Sequence, residues 1–202
     1  VRQGLLNHTI SREEAIRTFH LDPEKKTVLI LGGSLGARTI NQCVIENIAK
    51  IKESGVQFIW QTGKVYINDA IAAIANAGDV TMLHVTDFIS NMAAAYSAAD
   101  LVISRAGAGS ISEFCLLEKP VILVPSPNVA EDHQTHNAMA LVNRNAALLV
   151  KDAEAEHTLI PLAIKTVGDK ALLESLSKNA SDMAFRNSDT IIAQEILTLI
   201  KR

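Results

Sequence analysis

A doubly wound α/β fold, with a parallel sheet of six strands and helices on both faces, is the fold class this sequence predicts. Three observations carry it. From Thr27 onward, short β-branched runs alternate with amphipathic stretches, the pattern of βαβ units. The strand runs are apolar almost throughout instead of alternating, so both of their faces must be covered. Finally, 202 residues at 48% hydrophobic and 20% charged hold enough apolar material for one substantial core, and too little length for two full-sized domains.

The opening VRQGLLNHTISREEAI has no strand of its own, and 1–26 reads as a lead-in segment. The strand candidates follow in order: TVLIL at 27–31, VQFIW at 56–60, VTML at 80–83, LVIS at 101–104, VILV at 121–124 and ALLV at 147–150. Between the first two, ARTINQCVIENIAKIKESG reads as one helix with Ile40, Val44, Ile48 and Ile51 on its apolar face and Gly55 as its stop. Residues 27–150 thus form the sheet domain. Beyond Lys151 the pattern is wholly helical, in LIPLAIKTVG, KALLESLSKNASDMAF and DTIIAQEILTLIKR, so 151–202 is a helical tail packing on the same domain.

A formal charge of -3 gives no net attraction to nucleic acid or anionic lipid. Cys43 and Cys115 lie far apart within apolar helical patterns and read as buried thiols of a reducing compartment. No apolar run is long enough to cross a bilayer.

In doubly wound sheets ligands bind outside the carboxyl ends of the strands, where strand order reverses, so the loops after the strands carry the functional reading. After the first strand, Gly32-Gly33-Ser34-Leu35-Gly36-Ala37-Arg38 runs into a helix. Glycines allow close backbone approach and a helix N-terminus offers free N–H groups, which makes this either a phosphate site or simply a tight turn. The same residues match G-x-S-x-G, a nucleophile elbow with Ser34 as nucleophile and Asp132, His133, His136 or His157 as partners. An elbow of that kind is preceded by further strands and an oxyanion loop, which are absent before TVLIL.

After the fourth strand, Ser104-Arg105-Ala106-Gly107-Ala108-Gly109-Ser110-Ile111-Ser112-Glu113 opens a second helix, and the two small-residue loops can hold a diphosphate between them. Glu113, placed in the first turn, is either a reader of vicinal hydroxyls or an ordinary favourable charge at a helix start. After the fifth strand, Pro125-Ser126-Pro127-Asn128 leads to Glu131-Asp132-His133-Gln134-Thr135-His136-Asn137, a loop dense in hydrogen-bonding groups that suits a sugar. His133 and His136 have metal-ligand spacing but no nearby cysteine or third histidine. GGSLGA lacks the G-x-G-x-x-G spacing, and Trp60-Gln61-Thr62 offers no acid to an adenine ribose, which argues against NAD.

Together, LGGSLGARTIN, WQTGK, VTDFISNMAAAYSAADLVISRAGAGSISE and PSPNVAEDHQTHNA resemble, in order and spacing, the C-terminal half of the MurG family. Members of that family transfer N-acetylglucosamine from UDP-GlcNAc to the undecaprenyl-diphosphate-linked muramyl-pentapeptide of peptidoglycan synthesis. The resemblance implies one Rossmann-like half of a GT-B fold, with the N-terminal domain, which carries the acceptor and membrane contacts and the catalytic residues, lying before this chain. This half alone is then expected to be inactive. It further implies the cytoplasmic face of the inner membrane, peripheral and through the other half, as the location.

By the same resemblance, the main chain of Ile89 lies at the uracil edge with Phe88 beside it, and Glu113 holds the ribose hydroxyls. Gly107, Ala108 and Gly109 surround the diphosphate opposite Gly33 and Ser34, with Arg2 near the nucleotide. His133 and Gln134 take the sugar hydroxyls, with Asn137 supporting their loop. His133 stands in place of a family glutamine, Gly109 where a larger apolar residue is common, and Trp60 where a histidine is common. Gln61 and Lys64 belong to a family motif to which the residues themselves assign no role. Two helix N-termini and Ser34 suffice to stabilise a leaving diphosphate, so neither metal nor cofactor is expected. The alternatives are a nucleotide-sugar-binding subunit of a two-chain GlcNAc transferase and the Ser34 hydrolase.

Overall fold

The structure, a computed structural model, describes residues 10–78 and 80–200. Six parallel strands, β1 (Thr27–Leu31), β2 (Gln57–Gln61), β3 (Leu83–Thr86), β4 (Leu101–Ser104), β5 (Val121–Leu123) and β6 (Leu148–Leu149), pair in the order β3-β2-β1-β4-β5-β6. Chain order therefore reverses between β1 and β4. Their following loops leave for opposite faces of the sheet, and a crevice opens between them.

The helices are α1 (Arg12–Thr18), α2 (Arg38–Glu46), α3 (Ile48–Ser54), α4 (Ile67–Ala77), α5 (Met92–Ala98), α6 (Ala108–Leu116), α7 (His133–Val142), α8 (Ala155–Gly168), α9 (Lys170–Asp182) and α10 (Ser188–Ile200). Two apolar layers cover the sheet. One is built from α1, α5, α6 and α7 with Ile16, Ala95, Phe114 and Leu141; the other from α2, α3, α4 and α8 with Ile40, Ile51, Ala70 and Ile160. Helix α9 sends Ala180 to the first and Leu173 to the second. Two covered faces are why the strands are apolar runs, and the expected six-stranded doubly wound sheet with a helical end is the fold observed.

Two expectations need correction. The third strand is Leu83–Thr86, not 80–83. It is an edge strand with only Leu83 buried, while Val80 and Met82 of the expected run pack beneath α4. The single helix expected after β1 breaks at Asn47, whose side chain donates to the Cys43 carbonyl at 2.8 Å and the Glu156 carbonyl at 3.3 Å. The apolar stripe nevertheless runs on through the break, and Gly55 ends α3 in the left-handed conformation (φ 70).

Helix α1 is fastened at the lower end of the sheet. Arg12 donates to Asp100 Oδ2 (2.8 Å) and to the carbonyls of Pro23 and Lys25, while the Thr27 N–H and Lys26 reach the same carboxylate. Burial raises the Asp100 pKa, but those donors outweigh it and hold the carboxyl below its ordinary value. At the other end of the chain, α10 leaves Ile192, Leu197, Leu199 and Ile200 more than half exposed. No helix among the described residues is long and apolar enough to cross a membrane.

Candidate functional site

On the β1 side of the crevice, the loop from Gly32 to Ala37 is held by packing and by the segment that follows β2. A Cβ on Gly32 would lie 2.7 Å from the Gln61 carbonyl oxygen, and one on Gly63 only 2.2 Å from the nitrogen of Gly36. Gly33, Gly36 and Gly63 all adopt positive φ, so glycine is required by conformation as well as by space. Beneath them the buried Trp60 donates Nε1–H to Asn41 Oδ1 at 2.9 Å, and Asn41 Nδ2 donates to the Thr62 carbonyl at 2.9 Å. The Gln61 amide then spans two loops. Its Oε1 accepts the Gly33 N–H at 3.0 Å, and its Nε2 donates to the carbonyls of Gly33 (3.0 Å) and Asp87 (3.1 Å).

On the β4 side the bracing is of another kind. Arg105 Nη1 donates to the carbonyls of Val124 (3.0 Å) and Pro125 (3.1 Å) and pairs with Asp152, whose other oxygen accepts the Thr39 hydroxyl at 2.9 Å. Gln134 Oε1 accepts two main-chain N–H groups, of Ser126 (2.9 Å) and Ala106 (3.2 Å), and Asn137 Nδ2 donates to the Ala106 carbonyl at 3.1 Å, fastening α7 to the loop after β4. With its oxygen fixed by two donors, Gln134 must turn its Nε2 the other way, where among the described residues it has no partner. Immediately before α7, Glu131 (φ 53) and Asp132 (φ 48) occupy consecutive left-handed conformations, a strained entry into the helix of the sort concentrated at binding sites.

Between these walls lies a cavity of about 270 Å³ lined by Leu31, Gly32, Gly33, Ser34, Gln61, Phe88, Ile89, Met92, Tyr96, Ser104, Arg105, Gly107, Ser110, Glu113 and Gln134. A second, more polar hollow of about 560 Å³ adjoins it at Gly32, Arg105 and Gln134. Helices α2 and α6 begin at the crevice, and neither N-cap, Ala37 or Gly107, has a side chain satisfying the first-turn N–H groups. Such open ends favour an anion.

Glu113 sits on the cavity wall, and its Oε2 accepts the hydroxyl of the buried Tyr96 at 2.9 Å. Tyr96 is in turn wedged edge-on against Phe114, with ring centroids 6.1 Å apart. Glu113 is the sixth residue of α6, which has no acid in its first turn, and that corrects its expected position. The alternative of a helix-start charge thereby loses its geometric basis.

Of the residues singled out in the sequence, the fold brings Gly33, Ser34, Phe88, Ile89, Gly107, Glu113 and Gln134 to one cavity. Ala108 and Gly109 occupy the first turn of α6 without lining it. His133 is exposed, with Nδ1 2.8 Å from the Ala130 carbonyl oxygen, and Arg2 lies outside the described residues. The Gly33 N–H is committed to Gln61 Oε1. Among the described residues no histidine hydrogen-bonds Ser34, and Asp132 instead accepts the Thr135 hydroxyl at 2.6 Å. Cys43 and Cys115 are buried free thiols; burial pushes Cys43 up to about 11 and raises Cys115 as well.

Sequence reasoning passed over Arg105, Tyr96, Met92 and Ser110. A usable signal existed only for Arg105, a lone cation directly after an apolar strand among small residues.

The sequence model of the glycosyltransferase family 28 C-terminal domain matches residues 27–196. The UDP-N-acetylglucosamine–N-acetylmuramyl-(pentapeptide) pyrophosphoryl-undecaprenol N-acetylglucosamine transferase of Phocaeicola vulgatus is 70% identical over 98% of this chain and 53% of its own length. Its namesake from Bacteroides fragilis is 60% identical over 100% of the chain and 53% of its own length. The crystal structure of Acinetobacter baumannii MurG superposes with a TM-score of 0.79 at 28% identity, over 96% of this chain and 55% of that one. The chain spans about half the length of the curated relatives it matches.

Proposed function

The chain belongs to the glycosyltransferase family 28 C-terminal domain family, and from that premise we propose that its crevice binds the sugar donor UDP-N-acetylglucosamine. The observation that carries the proposal is Glu113: a carboxylate on the wall of a cavity flanked by two open helix N-termini, steadied by a buried tyrosine hydroxyl. In this reading the uracil lies against Phe88 and Ile89, Glu113 accepts hydrogen bonds from both ribose hydroxyls, and the diphosphate sits between the first turns of α2 and α6.

As the acceptor hydroxyl attacks C1, negative charge builds on the departing UDP. The helix ends and the Ser34 hydroxyl stabilise it there, a role the Gly33 N–H does not share. The sugar faces Gln134, whose free Nε2 donates to it. In the same reading, the lipid-linked acceptor, the peripheral membrane location and the catalytic base fall to the part of the longer relatives outside this span, and residues 1–202 by themselves bind donor without transferring it.

Calorimetry with UDP, 2′-deoxy-UDP and Glu113→Ala tests the assignment. Losing two charge-assisted bonds should weaken UDP binding about ten- to a hundredfold and abolish the preference for UDP over its deoxy analogue. If variant and wild type show the same preference, Glu113 does not read the ribose.

A further inference from the structure

We propose that Gln61 is a positioning residue that sets the spacing between the base-binding and phosphate-binding loops. The inference rests on the reading of the cavity as a uridine-diphosphate site. Gln61 is the last residue of β2, is only 6% exposed, and reaches two loops that lie far apart in sequence. Its carbonyl oxygen and one amide hydrogen close a two-bond pairing with the main chain of Gly33, while the other hydrogen bonds the Asp87 carbonyl, one residue before Phe88. Both amide hydrogens are spent on protein, so Gln61 has no donor left for a ligand. Its main-chain carbonyl also accepts the Gly32 N–H at 2.9 Å. One side chain thus ties the phosphate loop to the loop that carries Phe88 and Ile89.

A ligand bound at only one loop has little use for this tie. A ligand bound at both gains from loops already held at the right separation, because no reorganisation is then needed on binding. Loss of the tie should therefore weaken UDP more than uridine, and the ratio of the two affinities is the signature. A purely structural role would lower both equally.

The test uses NMR titration of the 202-residue chain with uridine and with UDP, in wild type, Gln61→Glu and Gln61→Leu. Glutamate keeps the acceptor for the Gly33 N–H but sets an oxygen against the two carbonyls. The expected result for Gln61→Leu, which adds no charge, is a loss of about thirtyfold in UDP affinity with uridine changed by less than about threefold. Gln61→Glu should act in the same direction, its carboxylate adding repulsion of the diphosphate, so the neutral variant decides. Equal losses for the two ligands, or no loss, would overturn the proposal while leaving the site reading intact. A wild-type chain that bound no UDP would sink the site reading and this proposal with it. Should neither variant fold, exchange in the wild type decides: the Gln61 side-chain amide and the Gly33 N–H must be protected before UDP is added, and fast exchange of both overturns the tie.

Discussion

The two sides of the crevice are built from similar parts, a glycine-containing loop and a glutamine side chain, yet they end in different states. On the β1–β2 side two of the glycines and the glutamine are used up within the protein, while the Ser34 hydroxyl and the start of α2 stay open. Gly32 and Gly63 have no room for a Cβ, and the Gln61 amide has spent both donors. On the β4–β5 side the parts are left open. A Cβ on Gly109 would meet nothing within 4 Å, one on Gly107 would only touch Ser110 Oγ at 4.0 Å, and Gln134 keeps its Nε2 unpaired among the described residues. The lesson is that glycine and glutamine in a binding loop have two distinct physical causes. Where protein already fills the space, the residue shapes the loop; where it does not, the residue leaves room or a donor for something else.

Three substitutions test that contrast. The largest effect is expected at Gly63→Ala, where a Cβ would collide with the Gly36 main chain at a positive φ; unfolding free energy in denaturant should fall by about 3 kcal/mol or more. A loss below about 1 kcal/mol would mean the loops slide apart easily and the β1–β2 side is not saturated. Next comes Gln134→Glu, which keeps the oxygen that holds Ala106 and Ser126 but removes the outward donor. The affinity of UDP-GlcNAc relative to UDP should drop about tenfold. The ratio is the readout, because the added charge weakens both ligands. The smallest effect is at Gly109→Ala. With space available and a helical position, stability should rise by up to about 1 kcal/mol, and a loss of that size would show that this side is as tightly filled as the other.

What the sequence revealed follows the same division between local and distant causes. Strands β1 and β4 are legible to the residue because both of their faces are covered, which leaves a continuous apolar run. The edge strand β3 is not. Beyond the buried Leu83 its residues are half-buried and include His84, whereas Val80 and Met82 just before it join the apolar layer. The break at Asn47 is silent in the periodicity, because the partners that stabilise it include Glu156, remote in sequence. At the site, small-residue loops advertise themselves locally, so Gly33, Ser34, Gly107 and Glu113 could be picked out. The work of Gln61 and Tyr96 could not, since each acts through partners on other elements, and the lone cation Arg105 marks its own position but not its partner Asp152.

The lone tryptophan has a practical consequence of its own. Trp60 is fully buried, hydrogen-bonded to Asn41, and adjacent in the chain to Gln61. Its indole is therefore a built-in fluorophore, shielded from water and attached to the strand end that carries the loop tie. Emission from this single ring needs no correction for other indoles. A red shift on unfolding reports exposure of the core between β2 and α2, and, were the crevice to bind nucleotide as proposed, a change in intensity on its addition would report strain passed down one peptide bond. The chain thus carries its own optical gauge of folding, and a probe for the proposed ligand binding, with no label required.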